Sequence, residues 1–276
     1  MLSEFAPAKL NLALHVRRRS ADGYHDIETL FAFADIGDRL TAEPADALSL
    51  KIGGRFADDL PMQDNLVLRA ARILGDEIGR DPAFAFILDK ALPIASGIGG
   101  GSADAAAALR LLARAWDVPT DHPTLMACAD RLGSDVPACL LSTAAIGQGR
   151  GEALRRVPLG MLKGASLILA NPGIALSTAQ VFAAWDRIDR GALPDGDAAA
   201  ILHHGRNDLQ PPAIALVSEI ATLIDGMASS GAQLARMSGS GATCFAIYAN
   251  EQSRDRALMQ LRAAHPAYWI EPANLS

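Results

Sequence analysis

A chain of 276 residues, half of them apolar and 20% charged, can close one large core or two smaller ones, which excludes the disordered and collagen-like classes. Its formal charge of -6 and scattered Lys and Arg offer no broad phosphate-neutralising surface, so nucleic acid is not an expected partner. Cys128, Cys139 and Cys244 show neither CxxC spacing nor an even count, which argues against a zinc site or disulfide framework and fits a reducing cytoplasm. No basic and then apolar leader opens the sequence, and no apolar run approaches the roughly 20 residues of a membrane span, so no membrane association is expected.

In chain order, residues 9–16 alternate polar or small residues with Leu and Val, the period of a half-buried strand, which puts Lys9 and Asn11 on one face. The basic run Arg17, Arg18, Arg19 reads as a solvated turn. A helix is expected from about Asp64 as N-cap, with Leu66, Ala70, Ile73, Leu74 and Ile78 along one side. Residues 84–88 read as a short apolar strand, and a glycine loop then opens a helix over 103–116. A second helix is expected over 123–132, stopped by Gly133, followed by the turn Ser134-Asp135-Val136-Pro137. Gly147-Gln148-Gly149-Arg150-Gly151 is the best linker candidate, dividing residues 1–148 from 149–276. Beyond it come a strand over 166–170, helices over 177–185 and 214–224, strands over 233–237 and 243–248, and a closing helix over 254–264. Strands and helices mix without regular alternation or repeat, so the expected class is α+β.

The glycine loop is the most informative segment. Gly97, Gly99, Gly100 and Gly101 allow positive φ and close approach of a ligand with no Cβ in the way. The helix behind them adds unpaired N–H groups and about half a positive charge, which together make a phosphate cradle. A simple turn needs fewer glycines. The P-loop does not fit, because Gly101 is followed by Ser102-Ala103-Asp104 and not by Lys. A dinucleotide fingerprint also fails, having Ser102 where its third glycine belongs and a loop where a second strand is needed.

The segment Pro93, Ile94, Ala95, Ser96, Gly97, Ile98, Gly99, Gly100, Gly101, Ser102, Ala103 resembles the central phosphate-binding motif of the galactokinase, homoserine kinase and mevalonate kinase superfamily. Pro7-Ala8-Lys9-Leu10-Asn11-Leu12 is similar to its N-terminal motif, and Ser238-Gly239-Ser240-Gly241-Ala242-Thr243 to its glycine-rich C-terminal one. The resemblance implies two domains with the active site in the cleft between them: an ATP-binding and catalytic domain over 1–148 and a substrate-binding domain over 149–276. Ala21-Asp22-Gly23-Tyr24-His25, Glu28-Thr29-Leu30-Phe31 and Gly133-Ser134-Asp135-Val136-Pro137 resemble one branch of that superfamily. That branch phosphorylates the 2-hydroxyl of a diphosphocytidyl-methylerythritol on the non-mevalonate route to isoprenoid precursors. Its implied co-substrate is ATP with a divalent cation, Mg2+, and its implied partner a small molecule with a cytidine diphosphate moiety. The sequence names no metal ligands and no oligomeric state.

Phosphoryl transfer needs in-line positioning, neutralisation of charge, and a group that orients or deprotonates the attacking hydroxyl. The resemblance assigns the positive charge to Lys9 and the base to Asp135. It also raises Asn11, Tyr24, His25 and Phe182 as substrate contacts, the aromatic rings serving as platforms for the base. Departures from the family pattern are Ile98 in place of Leu, Ala103-Asp104 in place of Ser-Asn, and Cys139 in place of an aromatic residue. Asp104 would repel phosphate if it faced the loop, so it is expected to point away or to help hold the metal. Two alternatives stay open: another kinase of the superfamily acting on mevalonate, homoserine or a sugar, and a nucleotide-binding regulator lacking the chemistry.

Overall fold

The computed structural model describes residues 1–21, 23–58 and 65–276 and opens with two long strands, β1 (Leu2–Arg19) and β2 (His25–Pro44), paired with each other. Next come β3 (Ser49–Gly53), α1 (Leu66–Ile78), β4 (Phe84–Asp89), α2 (Gly100–Ala115), α3 (Pro123–Leu132) and α4 (Val136–Leu141). The hairpin strands β5 (Ala145–Gly149) and β6 (Ala153–Arg156) are followed by β7 (Ser166–Asn171) and α5 (Thr178–Ala183). Then come α6 (Ala198–His204), α7 (Gln210–Leu216) and α8 (Glu219–Ser229). The chain closes with β8 (Leu234–Met237), β9 (Cys244–Tyr248), α9 (Glu251–Ala264) and β10 (Trp269–Asn274). The expected α+β class holds. Among the described residues, no single helix is long and apolar enough to cross a membrane.

The chain forms two compact units that interleave in sequence: Met1–Ala8, Gly37–Ile94 and Gly99–Ser142 make the first, and Lys9–Ile36, Ala95–Ile98 and Thr143–Ser276 the second. β1 and β2 each contribute residues to both units. In the first unit, β3 runs parallel to β4 with Ser49 opposite Ala85, and β4 runs antiparallel to β2 with Asp89 opposite Arg39. Its helical side is organised by α2, where Ala103, Ala105, Ala106, Ala107 and Ala108 are all buried. Small side chains on every face let α1, α3 and α4 all pack against this one helix. The Asn65 side chain caps α1 by accepting from the Val67 N–H at 2.9 Å, and Gly79 ends it at φ 67°. Asp64, the cap expected from sequence, lies outside the described residues, as does Asp22.

The second unit carries an antiparallel sheet in the order β10-β7-β9-β8. One face of that sheet, with Ile168, Ala170, Cys244 and Ala246, buries against Ile220, Leu223 and Met227 of α8 and Leu258 and Leu261 of α9. All three cysteines are buried free thiols, and burial pushes Cys128 up to about 11.

The structure revises three local expectations. The single helix over 214–224 is two helices, because Val217 takes an extended conformation (φ -138°, ψ 95°) and Ser218 starts α8 afresh. Its apolar period survived the break because Ala213, Val217 and Ile220 enter the same core. The basic run is the end of β1 and not a turn, with Arg17 paired to Glu28 at 2.5 Å and Asp189 at 3.0 Å. The glycine run at 147–151 is a hairpin and not a linker: Gln148 faces Ala153 in register, and Gly149 (φ 71°) and Gly151 (φ 108°) make the turn.

Gly147 shows why the hairpin needs glycine. A Cβ there would lie 2.6 Å from Cε2 of Phe31 and 2.8 Å from the Gly151 carbonyl oxygen. Gly147→Ala is therefore expected to lower stability by about 1–3 kcal/mol in urea unfolding, the usual cost of overpacking, whereas a linker glycine would accept the methyl group at no cost.

Candidate functional site

Within the second unit, residues from three distant parts of the chain meet at the hydroxyl of Ser238. It accepts the Asn11 backbone N–H at 3.1 Å and donates to the Gly97 carbonyl at 3.1 Å. The Lys9 N–H donates to the Ile98 carbonyl at 3.0 Å, and the Thr243 N–H to that of Ser96 at 3.0 Å. The backbones approach so closely that no Cβ fits. One on Gly97 would lie 2.6 Å from the Ser238 carbonyl oxygen, and one on Gly239 would lie 2.8 Å from that of Gly97. Both glycines also have positive φ, 77° and 55°. The N-terminal, central and C-terminal motif segments are thus one physical assembly.

Strand geometry sets the side chains of this assembly. Lys9 and Asn11 share a face of β1, and Lys9 Nζ donates to Asn11 Oδ1 at 3.0 Å. Asn11 Nδ2 donates to Thr29 Oγ1 at 2.8 Å, and that hydroxyl donates to the Ala13 carbonyl at 2.7 Å. The Lys9 ammonium also sits 4.8 Å from the centre of the Phe31 ring. With Lys9 and Asn11 both buried, this chain of hydrogen bonds fixes the ammonium in one place.

The remainder of the glycine loop lies in the first unit, together with Pro93 and Ile94. Gly99 is the N-cap of α2 at φ 65°, and the helix begins at Gly100, three residues earlier than the sequence suggested. The first-turn N–H groups therefore belong to Gly100, Gly101 and Ser102, which are without intrahelical acceptors by the geometry of an α-helix. Pro93, Ser96, Ile98 and Ala103 are buried and act as supports, while Ala95 and Gly101 are exposed.

Starting the helix at Gly100 puts Asp104 in its second turn. There it is buried, and its Oδ2 accepts from Lys90 Nζ at 2.8 Å. Lys90, also buried, is shared with Asp38, which accepts the Ala91 and Leu92 N–H groups at 2.7 and 2.8 Å. Asp104 thus turns away from the loop, one of its two expected dispositions. The helix formers Ala103 and Ala105 around it hid this role in the sequence, as did the distance of Lys90 and Asp38 along the chain. A Cβ on Gly100 would lie 3.0 Å from Lys90 Nζ, so this ion cluster lies directly beneath the loop.

Asp135 is half-buried at the N-cap of α4 and makes no capping hydrogen bond to that helix. His25 and Phe182 belong to the second unit, with ring centres 4.8 Å apart and planes tilted by 31°. Trp185 meets His25 edge-on at 5.7 Å. Burial, with the charges of Arg19 and Arg187, pulls the His25 pKa below its ordinary value, so the ring is neutral at pH 7 and carries both a donor and an acceptor. Tyr24 is exposed, with the Arg150 guanidinium 5.0 Å from its ring centre. Among the described residues, no group of three or more His, Cys, Asp or Glu could hold a metal ion.

Known proteins resemble this chain in sequence and in fold. Residues 65–143 match the N-terminal domain of GHMP kinases, and residues 192–267 match their C-terminal domain. The 4-diphosphocytidyl-2-C-methyl-D-erythritol kinase of Rhizorhabdus wittichii is 52% identical over 97% of this chain and 92% of its own length. That of Cereibacter sphaeroides is 50% identical over 100% of this chain and 99% of its own. Among solved structures, a 4-(cytidine 5'-diphospho)-2C-methyl-D-erythritol kinase superposes with TM-score 0.82 at 33% identity, covering 99% of both chains. A homoserine kinase from Cytophaga hutchinsonii, at 14% identity and TM-score 0.74 over 99% of this chain and 94% of its own, shares the fold.

Burial raises the Asp104 carboxyl to about 7, with Lys90 opposing and Asp38 adding to the shift. A carboxyl whose pKa is higher folded than unfolded contributes stability at low pH and loses it as pH rises from about 4 through about 7. Asp104→Asn cannot ionise and can still accept from Lys90. Its stability relative to the parent chain is expected to rise across that window in urea unfolding at a series of pH values; a constant difference would remove the ion-cluster account.

Proposed function

The chain belongs to the GHMP kinases and, within them, to the 4-diphosphocytidyl-2-C-methyl-D-erythritol kinases, and from this membership we infer that it phosphorylates the 2-hydroxyl of that substrate with ATP, in non-mevalonate isoprenoid precursor synthesis. The observation that carries the reading to this chain's own residues is the Ser238 junction, which holds Lys9 and Asn11 against the glycine loop.

In this reading the loop over 93–103 receives the ATP phosphates. Its first-turn N–H groups offer donors to the anion, and the α2 dipole favours negative charge there. Lys9, locked by Asn11, neutralises charge that builds on the transferring phosphoryl group, at no cost in reorganisation during the reaction. Asp135, at the start of α4, accepts the proton of the attacking hydroxyl. Asn11 orients the alcohol. His25 and Phe182 hold the cytosine, with the neutral imidazole presenting a donor and an acceptor to the base edge, and Tyr24 covers it from solvent. Functionally, residues 1–148 carry nucleotide binding and catalysis, and residues 149–276 contribute to substrate binding.

Mg2+ fits this arrangement as a companion of the nucleotide. The cation would accompany the nucleotide phosphates, the usual habit of Mg2+ in kinase sites. It neutralises phosphate charge when bound. A small-molecule kinase of this kind works in the cytoplasm, without nucleic acid or membrane as partner.

Two experiments test the reading. ADP release is followed with ATP, magnesium and, separately, diphosphocytidyl-methylerythritol, mevalonate, homoserine and galactose; turnover is expected with the first alone, and preference for any other acceptor would overturn the assignment. The second is Asp135→Asn, expected to lower turnover by roughly 10²- to 10⁴-fold with little change in either Michaelis constant or in melting temperature. Turnover near that of the parent chain with an unchanged acidic limb of the pH profile would remove Asp135 as the base.

A further inference from the structure

A recess lies within the second unit, about 530 Å³ in volume, lined by Trp185, Arg190, Arg206, Asp208, Pro211 and Arg236 among others. None of the residues assigned above to nucleotide or substrate lines it. Its size is within the ordinary range for small-ligand sites.

The charges around it do not balance. Arg190, Arg206 and Arg236 line the recess with the carboxylates of Asp186 and Asp208. Asp186 is taken by Arg190, with Nη1 to Oδ1 at 3.0 Å, and Asp208 by Arg206 at 2.6 Å and by the Val16 N–H at 2.8 Å. Arg236 is left with no carboxylate among the described residues. It donates instead to three backbone carbonyls: Nη1 to Leu12 at 2.6 Å and Leu202 at 3.1 Å, and Nη2 to Gly205 at 2.7 Å. A guanidinium has five N–H donors, so Nε–H and the second hydrogen of Nη2 stay unassigned. Burial draws its pKa down to about 10, the mark of a cation that has lost water without gaining an anion. Around this charge, Ala184, Trp185, Pro211, Pro212 and Ala235 supply an apolar wall.

We propose that this recess is a binding site for a small organic anion, one carboxylate or phosphate group on an apolar body, with Arg236 and the rim arginine Arg190 receiving the acidic group and the Trp185 side of the recess the body. The single uncompensated positive charge asks for an anion, and the wall excludes a bare ion as the best occupant. Occupancy has a route to the base-binding pair, since Trp185 lines the recess and also meets His25 edge-on at 5.7 Å. A ligand that moves the indole therefore changes the Michaelis constant for the cytidyl substrate; this consequence, unlike binding itself, rests on the role of His25 proposed above.

The test titrates the purified protein with phenyl phosphate and, separately, 3-phenylpropionate, by calorimetry and by tryptophan emission. A saturating non-hydrolysable ATP analogue keeps either probe off the glycine loop. One-to-one binding with a dissociation constant below about 1 mM is expected for at least one probe, the tighter one identifying the preferred head group. Arg190→Glu, on the exposed rim, should weaken it by roughly 10-fold or more while leaving melting temperature and basal turnover unchanged. Arg236→Lys, which keeps the charge but loses the planar fork, should weaken it as well. Absence of saturable binding up to about 10 mM, or equal affinity in Arg190→Glu, would overturn the site. Binding without a change in the substrate's Michaelis constant would overturn the coupling through Trp185.

Discussion

One hydroxyl group ties the candidate site together. Ser238 accepts from the Asn11 backbone and donates to the Gly97 carbonyl, joining positions 227 and 141 residues away from it in sequence. Such a junction is possible only where side chains are missing: at Gly97 and Gly239 any Cβ would come within 2.8 Å of a backbone oxygen of the other segment. Glycine is costly in chain entropy, and two positive-φ glycines at one contact are explained by the closeness of approach. The consequence runs outward through Asn11, whose side chain holds Lys9 Nζ on one side and bonds Thr29 on the other. In the function proposed above, the cation that meets developing charge is thereby placed before any substrate arrives.

The ion cluster under the loop is a second constraint of a different kind. Two carboxylates share the Lys90 ammonium, all three buried, and one oxygen of Asp104 has no hydrogen-bond partner among the described residues. Buried ion pairs seldom add net stability, because desolvation offsets their attraction. Their geometry is nonetheless demanding, and here it sets the second turn of α2 against the end of β4 and an interior position of β2. The loop above it therefore rests on a rigid base.

Much of this was legible in the sequence. The alternation at 9–16 put Lys9 and Asn11 on one face, which the structure shares, and Pro123 and Gly133 bound α3 as read. Local signals of this type, period and capping chemistry, act over a few residues and can be read from a few residues. What escaped was set by distant neighbours. The break at Val217 was invisible because the apolar period continued through it into one core. The glycines at 147–151 read as a linker because the ring of Phe31, more than a hundred residues earlier, is what excludes a Cβ at Gly147. Asp38 and Lys90 carried no motif, and only the fold brings them to Asp104. The loop glycines were read as a cradle alone, yet Gly97 has a packing duty toward Gly241 and Ser238.

Identification of the reaction product tests the account most directly. Purified protein incubated with ATP, magnesium and diphosphocytidyl-methylerythritol should give one new phosphomonoester resonance by ³¹P NMR, with carbon–phosphorus coupling that places the phosphate on the 2-hydroxyl and with one ADP formed per product. A phosphate at another hydroxyl, or ATP consumption without a phosphorylated cytidyl product, would contradict it.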